Sequence, residues 1–336
     1  MFVLRLTQDD LLEPESRSRR PESVEWVVCV RIVCIMKRIT IIFILVVVAV
    51  VAVFSLSYQR KFFVFSSDDA GKNFDSINFL VLGKTGKVIG WNFAPDLADS
   101  IFLVNYVPKI GVVNLISLPR DLYVNIGGEQ FKLNEIIKRN KINEFLKDNL
   151  VEMTGIKTDR YVVIDVDFVK QTVDDLGGIE VNLPSPAVDW ASGYTMSVGN
   201  HHLTGEDVVW LVRNRYSSEG DFFREKNQHA VIKAIFEKYK NLGYFEKAKF
   251  VFKALPLLAQ LEGNINPQEF LTPAFNVSNL RFNDVVFDFS TEILKSSGVV
   301  VPVGTSSTST AYILVPRAGQ NNYSELKDFI QSKIER

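Results

Sequence analysis

The segment 101–121 reads IFLVNYVPKIGVVNLISLPRD. Two apolar runs, Ile101–Tyr106 and Val112–Ser117, flank the break Val107-Pro108-Lys109-Ile110-Gly111. Short runs rich in β-branched and aromatic residues, parted by Pro and Gly, predict two strands joined by a hairpin turn. Pro119 then ends the pattern, leaving Arg120 and Asp121 just past a strand, where loops often carry sites. Upstream, Ile77–Leu82 predicts a further strand ending at Gly83.

Working downstream, Leu122–Val124 resumes a strand pattern. Leu133, Ile136, Ile137, Ile142, Phe145 and Leu146 are spaced as on a helix, predicted over Phe131–Met153. A strand is expected at Tyr161–Ile164, a helix at Phe168–Leu176 stopped by Gly177-Gly178, and a strand at Ile179–Leu183. Thr204 opens a T-x-x-D helix cap, and a long helix is expected over Asp221–Tyr239. This alternation predicts an α/β fold, with a central sheet sandwiched between helical layers. In the tail, Tyr244–Leu261 and Pro267–Leu280 read as helices, and Val285–Phe289 and Tyr312–Val315 as strands. The Gly304–Thr310 stretch reads as a loop, and Ser324–Ile334 as a closing amphipathic helix.

The chain has 336 residues, enough for one large or two modest domains. Residues 39–58, ITIIFILVVVAVVAVFSLSY, carry no charge. A helix of that length crosses a bilayer core. Arg17, Arg19, Arg20 and Arg31 tilt the amino-terminal side toward the cytoplasm, so the larger part is expected outside the membrane. The first 35 residues lack periodicity, and Met36-Lys37-Arg38 opens a basic stub before the apolar run; Met36 is the expected translation start. Both cysteines, Cys29 and Cys34, precede the apolar run. The later residues therefore exclude a disulfide scaffold, a thiolate nucleophile and a Cys-bound metal. The formal net charge of -1 leaves no broad nucleic-acid footprint.

Against that balance, RNRYSSEGDFFREKNQ at 213–228 gathers Arg213, Arg215, Asp221, Arg224 and Gln228. Asp221, Arg224 and Gln228 share one face if Asp221 opens the long helix. Asp99, at the start of the strand pairing with the one before Arg120, can come near Arg120. Arg grips phosphate with a planar fork of donors. The pattern points to a phosphate or pyrophosphate site with spare carboxylates for a divalent metal. Other chemistries are poorly supported. Gly83-Lys84-Thr85-Gly86-Lys87 lacks the spacing of a P-loop. His201, His202 and His229 lack the spacing of a zinc site, and the His pair is expected in a loop. No G-x-S-x-G elbow occurs.

The order of these pieces resembles the LytR-CpsA-Psr family over about Ile77–Leu242: PRD after a strand, an acidic residue before the preceding strand, and R-x-R…GD-x-x-R-x-x-x-Q. The resemblance implies a three-layer α/β/α fold with a central mixed sheet, preceded by one transmembrane helix. It implies a membrane-anchored phosphotransferase, placed outside the cytoplasmic membrane, that moves a glycopolymer from an undecaprenyl-pyrophosphate carrier to peptidoglycan. Residues 1–38 then form a cytoplasmic tail, 39–58 the membrane helix, 59–74 a stalk, 75–245 the catalytic domain and 246–336 a C-terminal extension. Arg120, Arg213, Arg215, Arg224 and Gln228 match the family's pyrophosphate-gripping positions, and Asp99 its metal ligand for Mg²⁺ or Mn²⁺. Asp121 is assigned to help the metal or orient Arg120, and Asp221 to position Arg224 or act as a base. The pattern departs at Thr85, where a metal-binding carboxylate is lost, and at Leu97 and Asn227, where arginines are lost. A lipid-pyrophosphate-binding envelope protein or regulator without catalysis is the alternative expectation.

Overall fold

A computed structural model describes residues 76–84, 96–190, 193–215, 220–265, 280–287, 291–303 and 307–336. The apolar run at 39–58, Thr85 and most of the helix expected over Pro267–Leu280 lie outside the described residues. Among the described residues, no helix is long and apolar enough to cross a membrane.

The strands are β1 (Ile77–Lys84), β2 (Ala98–Val107), β3 (Val112–Ser117), β4 (Tyr123–Ile126), β5 (Glu129–Lys132), β6 (Tyr161–Asp165) and β7 (Ile179–Leu183). There follow β8 (Ala187–Val188), β9 (Thr195–Met196), β10 (Gly199–Leu203), β11 (Glu262–Gly263), β12 (Arg281–Val285), β13 (Leu294–Val303) and β14 (Ser307–Pro316). The helices are α1 (residues 142–154), α2 (Val166–Asp175), α3 (Gly205–Arg213), α4 (Asp221–Lys240), α5 (Tyr244–Leu258) and α6 (Ser324–Lys333).

A six-stranded mixed sheet runs β11-β6-β1-β2-β3-β12. The expected hairpin is its centre, with β2 antiparallel to both β1 and β3. β6 joins β1, and β12 joins β3, in parallel. The C-terminal extension thus supplies β11 and β12 to the sheet. Gly83 marks a close approach: a Cβ there would lie 2.9 Å from the Ser100 Cβ across the strand pair.

Strand alternation sorts the side chains to opposite faces. Leu80, Leu82, Ile101, Leu103 and Ile116 pack with Ile142, Phe145, Leu326 and Ile330 of α1 and α6. On the other face, Phe102 meets the His229 ring of α4 at 5.4 Å, and Phe282 meets Phe236 at 4.8 Å. Helices therefore cover both faces of the sheet. A second cluster joins Val173, Val181, Val208, Leu211 and Val231 from α2, β7, α3 and α4. α3 begins with the expected cap, in which Thr204 and Asp207 form a reciprocal capping box.

Four expectations need correction. The helix predicted over Phe131–Met153 begins only at 142, because 129–132 is strand β5. Gly127 and Gly128, at φ 62° and 85°, make a two-residue turn that folds β5 back on β4. Phe131 and Leu133 are core residues of that return strand and the 3₁₀ turn after it. The strand expected at Val285–Phe289 lies at Arg281–Val285, where Arg281 aligns with Val112. The expected loop 304–310 is already strand from Ser307, which pairs with Val303 in a β13–β14 hairpin. The His pair, expected in a loop, lies on β10 opposite Glu180 and Val181.

Candidate functional site

Arg120 occupies the centre of the site. The Pro119–Leu122 turn closes with Leu122 N–H donating to Pro119 O at 3.0 Å. Asn134 N–H donates to Arg120 O at 2.9 Å, which fixes the loop against the chain following β5. From this perch Arg120 Nε donates to Asp221 Oδ2 at 2.7 Å, and its Nη1 donates to Asp99 Oδ1. Asp121 Oδ2 lies 3.6 Å from Arg120 Nε, and Lys132 Nζ donates to Asp121 Oδ1 at 2.8 Å.

Asp221 is the first residue of α4, where aligned backbone dipoles favour a negative charge. One turn on, Arg224 Nη2 sits 3.4 Å from Asp221 Oδ2 and donates to Asp99 O at 2.9 Å. Arg215 Nε lies 3.6 Å from Asp221 Oδ1, and its side chain is 46% exposed. The start of β2, the loop after β3 and the first turns of α4 thus converge on three arginines, one lysine and three aspartates.

The electrostatics follow from burial and partner count. Burial works against the Arg120 charge, yet Asp221, Asp99 and Asp121 together hold its pKa above the ordinary value. Burial would raise the Asp221 pKa, but Arg224, Arg120 and Arg215 outweigh it and keep the carboxylate ionised. Arg224 is only 2% exposed; burial, with Arg120 and Arg215 nearby, lowers its pKa to about 10 despite Asp221. It stays charged at neutral pH, and its Nε has no hydrogen-bond partner.

Of the residues expected from sequence, Arg120, Asp121, Asp99, Arg215, Asp221 and Arg224 come together. Gln228 does not join them: its Nε2 donates to Val212 O at 3.1 Å, tying α4 to α3. Arg213 ends α3 exposed, and no ion pair joins it to the three aspartates. Lys132 escapes sequence reasoning because the helical spacing from Leu133 onward masks strand β5. The β4–β5 pairing sets it opposite Tyr123, two residues beyond Asp121.

Glu225 was also missed. It is 6% exposed, and its Oε2 has no partner. Burial raises its pKa to about 8, against the pull of Arg224, so it is largely protonated at neutral pH.

A third missed group lies behind the site. His229 Nε2 is 2.9 Å from Ser117 Oγ, and its Nδ1 is 3.1 Å from Asp284 Oδ1. The order Ser–His–Asp is that of a hydrolase triad, but Ser117 and His229 are each only 1% exposed. A substrate cannot reach that hydroxyl, so the array clamps α4 between β3 and β12.

Among the described residues, no group of three or more His, Cys, Asp or Glu side chains forms a ready metal cage. Asp99, Asp121 and Asp221 each face a Lys or Arg. The carboxylates here that could serve a metal are Asp99 and Asp121, and Mg²⁺ is commonly held by one or two carboxylates with phosphates and water completing its shell. Lys84, the residue of the P-loop-like run, pairs with Glu262 Oε2 at 3.0 Å.

A TagU polyisoprenyl-teichoic acid–peptidoglycan teichoic acid transferase of Bacillus licheniformis is 30% identical over 47% of this chain and 52% of its own. Biofilm regulatory protein A of Streptococcus mutans is 27% identical over 64% of this chain and 55% of its own. The chain thus spans about half the length of these curated relatives. The crystal structure of Bacillus subtilis TagV matches 78% of this chain and 98% of that one, with a TM-score of 0.56 at 20% identity, a likeness of fold. A structure of TagT bound to LIIa-WTA matches 77% of this chain and 91% of that one, with a TM-score of 0.55 at 23% identity. The sequence model of the LytR_cpsA_psr family matches residues 52–291, across the sheet and every residue of the arginine–aspartate cluster, and the chain belongs to that family.

Proposed function

We propose that this protein transfers a cell-wall glycopolymer from a polyprenyl-pyrophosphate carrier, undecaprenyl pyrophosphate, to peptidoglycan. One observation carries the reading: Arg120 and Asp221, 101 residues apart in sequence, meet at 2.7 Å with Arg224 and Arg215 around them. A pyrophosphate entering this cluster exchanges carboxylate partners for phosphate oxygens. Arg120 and Arg224 are held by the fold before the ligand arrives, so little reorganisation is needed.

In the transfer, a sugar hydroxyl of the acceptor forms a bond to the polymer-proximal phosphorus. The bond from that phosphorus to the bridging oxygen breaks, polyprenyl phosphate leaves with the electron pair, and the hydroxyl's proton passes to the departing phosphate. Negative charge grows on the non-bridging and leaving oxygens, and Arg120, Arg215 and Arg224 stabilise it. Arg215, the more exposed of the three, closes over the phosphate from the solvent side. Asp221 orients Arg120 and Arg224, and Asp121 with Lys132 steadies Arg120 from below. Asp99 is the residue that would hold Mg²⁺ or Mn²⁺, which would supply further charge neutralisation to the phosphates. Placement outside the cytoplasmic membrane, anchored through residues 39–58, belongs to the same proposal.

The test is incubation of the full chain, in detergent with Mg²⁺, with a polyprenyl-pyrophosphate-linked saccharide and a peptidoglycan acceptor. Release of polyprenyl phosphate and labelling of the acceptor are expected, and Arg120→Ala is expected to abolish both. A second reading draws on Asp221. A carboxylate kept ionised by three arginines is a weak base, which suits a lipid-pyrophosphate-binding envelope protein or regulator. Saturable binding without release would favour that reading over transfer.

A further inference from the structure

Helix α5 has an uncovered side. None of its residues is buried. Phe250 and Val251 pack toward the second core cluster, where the Phe250 ring meets Tyr239 at 5.4 Å. The opposite side carries Phe245, Lys249, Phe252 and Pro256, at helical spacings of four, three and four, and all four are exposed. Phe245 is 86% exposed, Phe252 76%, and the adjoining Tyr244 73%. Isolated apolar residues on a surface need no explanation, but aromatic rings stacked along one helical stripe do.

Lysines outnumber acids around the stripe, with Lys240 paired to Glu237 at 3.4 Å and Lys247 lying over the Tyr239 ring at 5.8 Å. Lys247, Lys249 and Lys253 lie on α5 with Glu246 as its one acidic residue, and Lys238 and Lys240 end the helix before it. Glu246 is turned back to cap the helix through the Gly243 N–H at 3.0 Å. Lys253 is engaged by Asp175 at 2.7 Å, whereas Lys249 sits exposed between the two phenylalanines. Aromatic residues beside lysines on one side of a helix are the make-up of an element that lies in a bilayer interface.

We propose that this side of α5 docks on the anionic surface of the bilayer. The inference rests on the reading that residues 39–58 anchor the chain. Eighteen residues, 59–76, separate that segment from β1, so the chain cannot stray more than about 60 Å from its anchor. Burying the two phenylalanine rings in the interface is favourable because it removes apolar surface from water. Each lysine near an anionic surface adds a further, salt-dependent attraction. Such contacts are weak for a free protein but sufficient for a tethered one, because the anchor raises the local lipid concentration. Docking would hold the domain in a fixed orientation to the layer that delivers a lipid-linked substrate.

The test uses the full chain reconstituted at one copy per lipid nanodisc, with Cys29→Ser and Cys34→Ser. An environment-sensitive dye is attached after Phe252→Cys, or after Glu325→Cys on α6 as a control, and the discs contain a headgroup-level lipid quencher. In phosphatidylglycerol discs the label at 252 is expected to lose about half its emission. The label at 325 should stay bright. Phosphatidylcholine discs, or Lys247→Glu with Lys249→Glu, should restore the signal at 252. A chain retained in the discs with equal signals at 252 and 325 overturns the proposal alone. Quenching that appears only when two copies share a disc assigns the stripe to a second copy of the chain and also overturns it. A chain that leaves the discs on gel filtration overturns the anchoring reading and this proposal with it. No outcome depends on transfer activity.

Discussion

Asp221 Oδ2 accepts a hydrogen bond from Arg120 Nε at 2.7 Å and lies 3.4 Å from Arg224 Nη2. A single carboxylate at the first turn of α4 thus joins the loop after β3 to a guanidinium buried beneath it. Without a ligand, that anion offsets the repulsion among three arginines.

Asp221→Asn removes the offset. Breaking a largely buried ion pair costs about 3–5 kcal/mol; at 26% side-chain exposure the lower end is expected. Because Arg215 and Arg224 lose their carboxylate partner while Arg120 keeps Asp99 and Asp121, millimolar inorganic pyrophosphate should recover much of the lost melting temperature. Differential scanning fluorimetry with and without pyrophosphate reads this directly. The native carboxylate has a depressed pKa. Its contribution is therefore complete at neutral pH and lost only as pH falls below the ordinary aspartate range.

Arg120→Lys keeps the charge but loses the fork that reaches Asp99 and Asp221 together. Transfer is expected to fall about 100-fold, the scale of losing one preorganised donor at a developing charge. The melting temperature should change little beside that of Arg120→Ala. A release assay paired with thermal melts separates the two effects.

Glu225 carries a raised pKa of about 8 because it is buried. The folded state then binds a proton that the unfolded state has released, so stability falls as pH rises from about 4.5 to 8 and levels off above. Glu225→Gln, neutral at every pH, should flatten this slope. At about 1.4 kcal/mol per pH unit, the shift from 4.5 to about 8 sets an upper limit of about 4 kcal/mol of relief at pH 8, or roughly 8–16 °C in melting temperature. Melts across pH 5 to 9 for both proteins check it; parallel curves would remove the assignment.

His229 bridges Ser117 and Asp284 behind the site. His229→Phe leaves the buried Ser117 hydroxyl without its partner, while the exposed Asp284 keeps Lys233, and should cost about 1–3 kcal/mol. His229→Gln, with one donor end and one acceptor end, should restore most of that stability. Urea unfolding of the two variants gives the comparison. Equal losses would mean that the ring's bulk, not its nitrogens, holds α4 in place.

The hairpin Ile101–Ser117, the capping box at Thr204 and the helix from Asp221 were legible because each depends on neighbours close in sequence. Short β-branched apolar runs parted by Pro and Gly, a T-x-x-D cap and i, i+3 spacing are local signals. The β4–β5 hairpin was equally local, signalled by Gly127-Gly128, but the helical spacing of Leu133, Ile136 and Ile137 competed with it. Lys132 was lost from the site for that reason.

The chemical character of the site, arginines with spare carboxylates, was thus determined by residue types and spacing alone. Which of them meet was decided by the tertiary fold. Strand pairing and the packing of α4 on the sheet bring Arg120, Asp99, Asp221 and Arg224 within ion-pair reach, and leave Gln228 bonded to α3 and Arg213 at the surface. Burial acts the same way: nothing in the letters around Glu225 or His229 says that they are desolvated. Solvent exclusion is a property of packed elements distant in sequence, and it turns an ordinary carboxyl and imidazole into a neutral acid and a structural clamp.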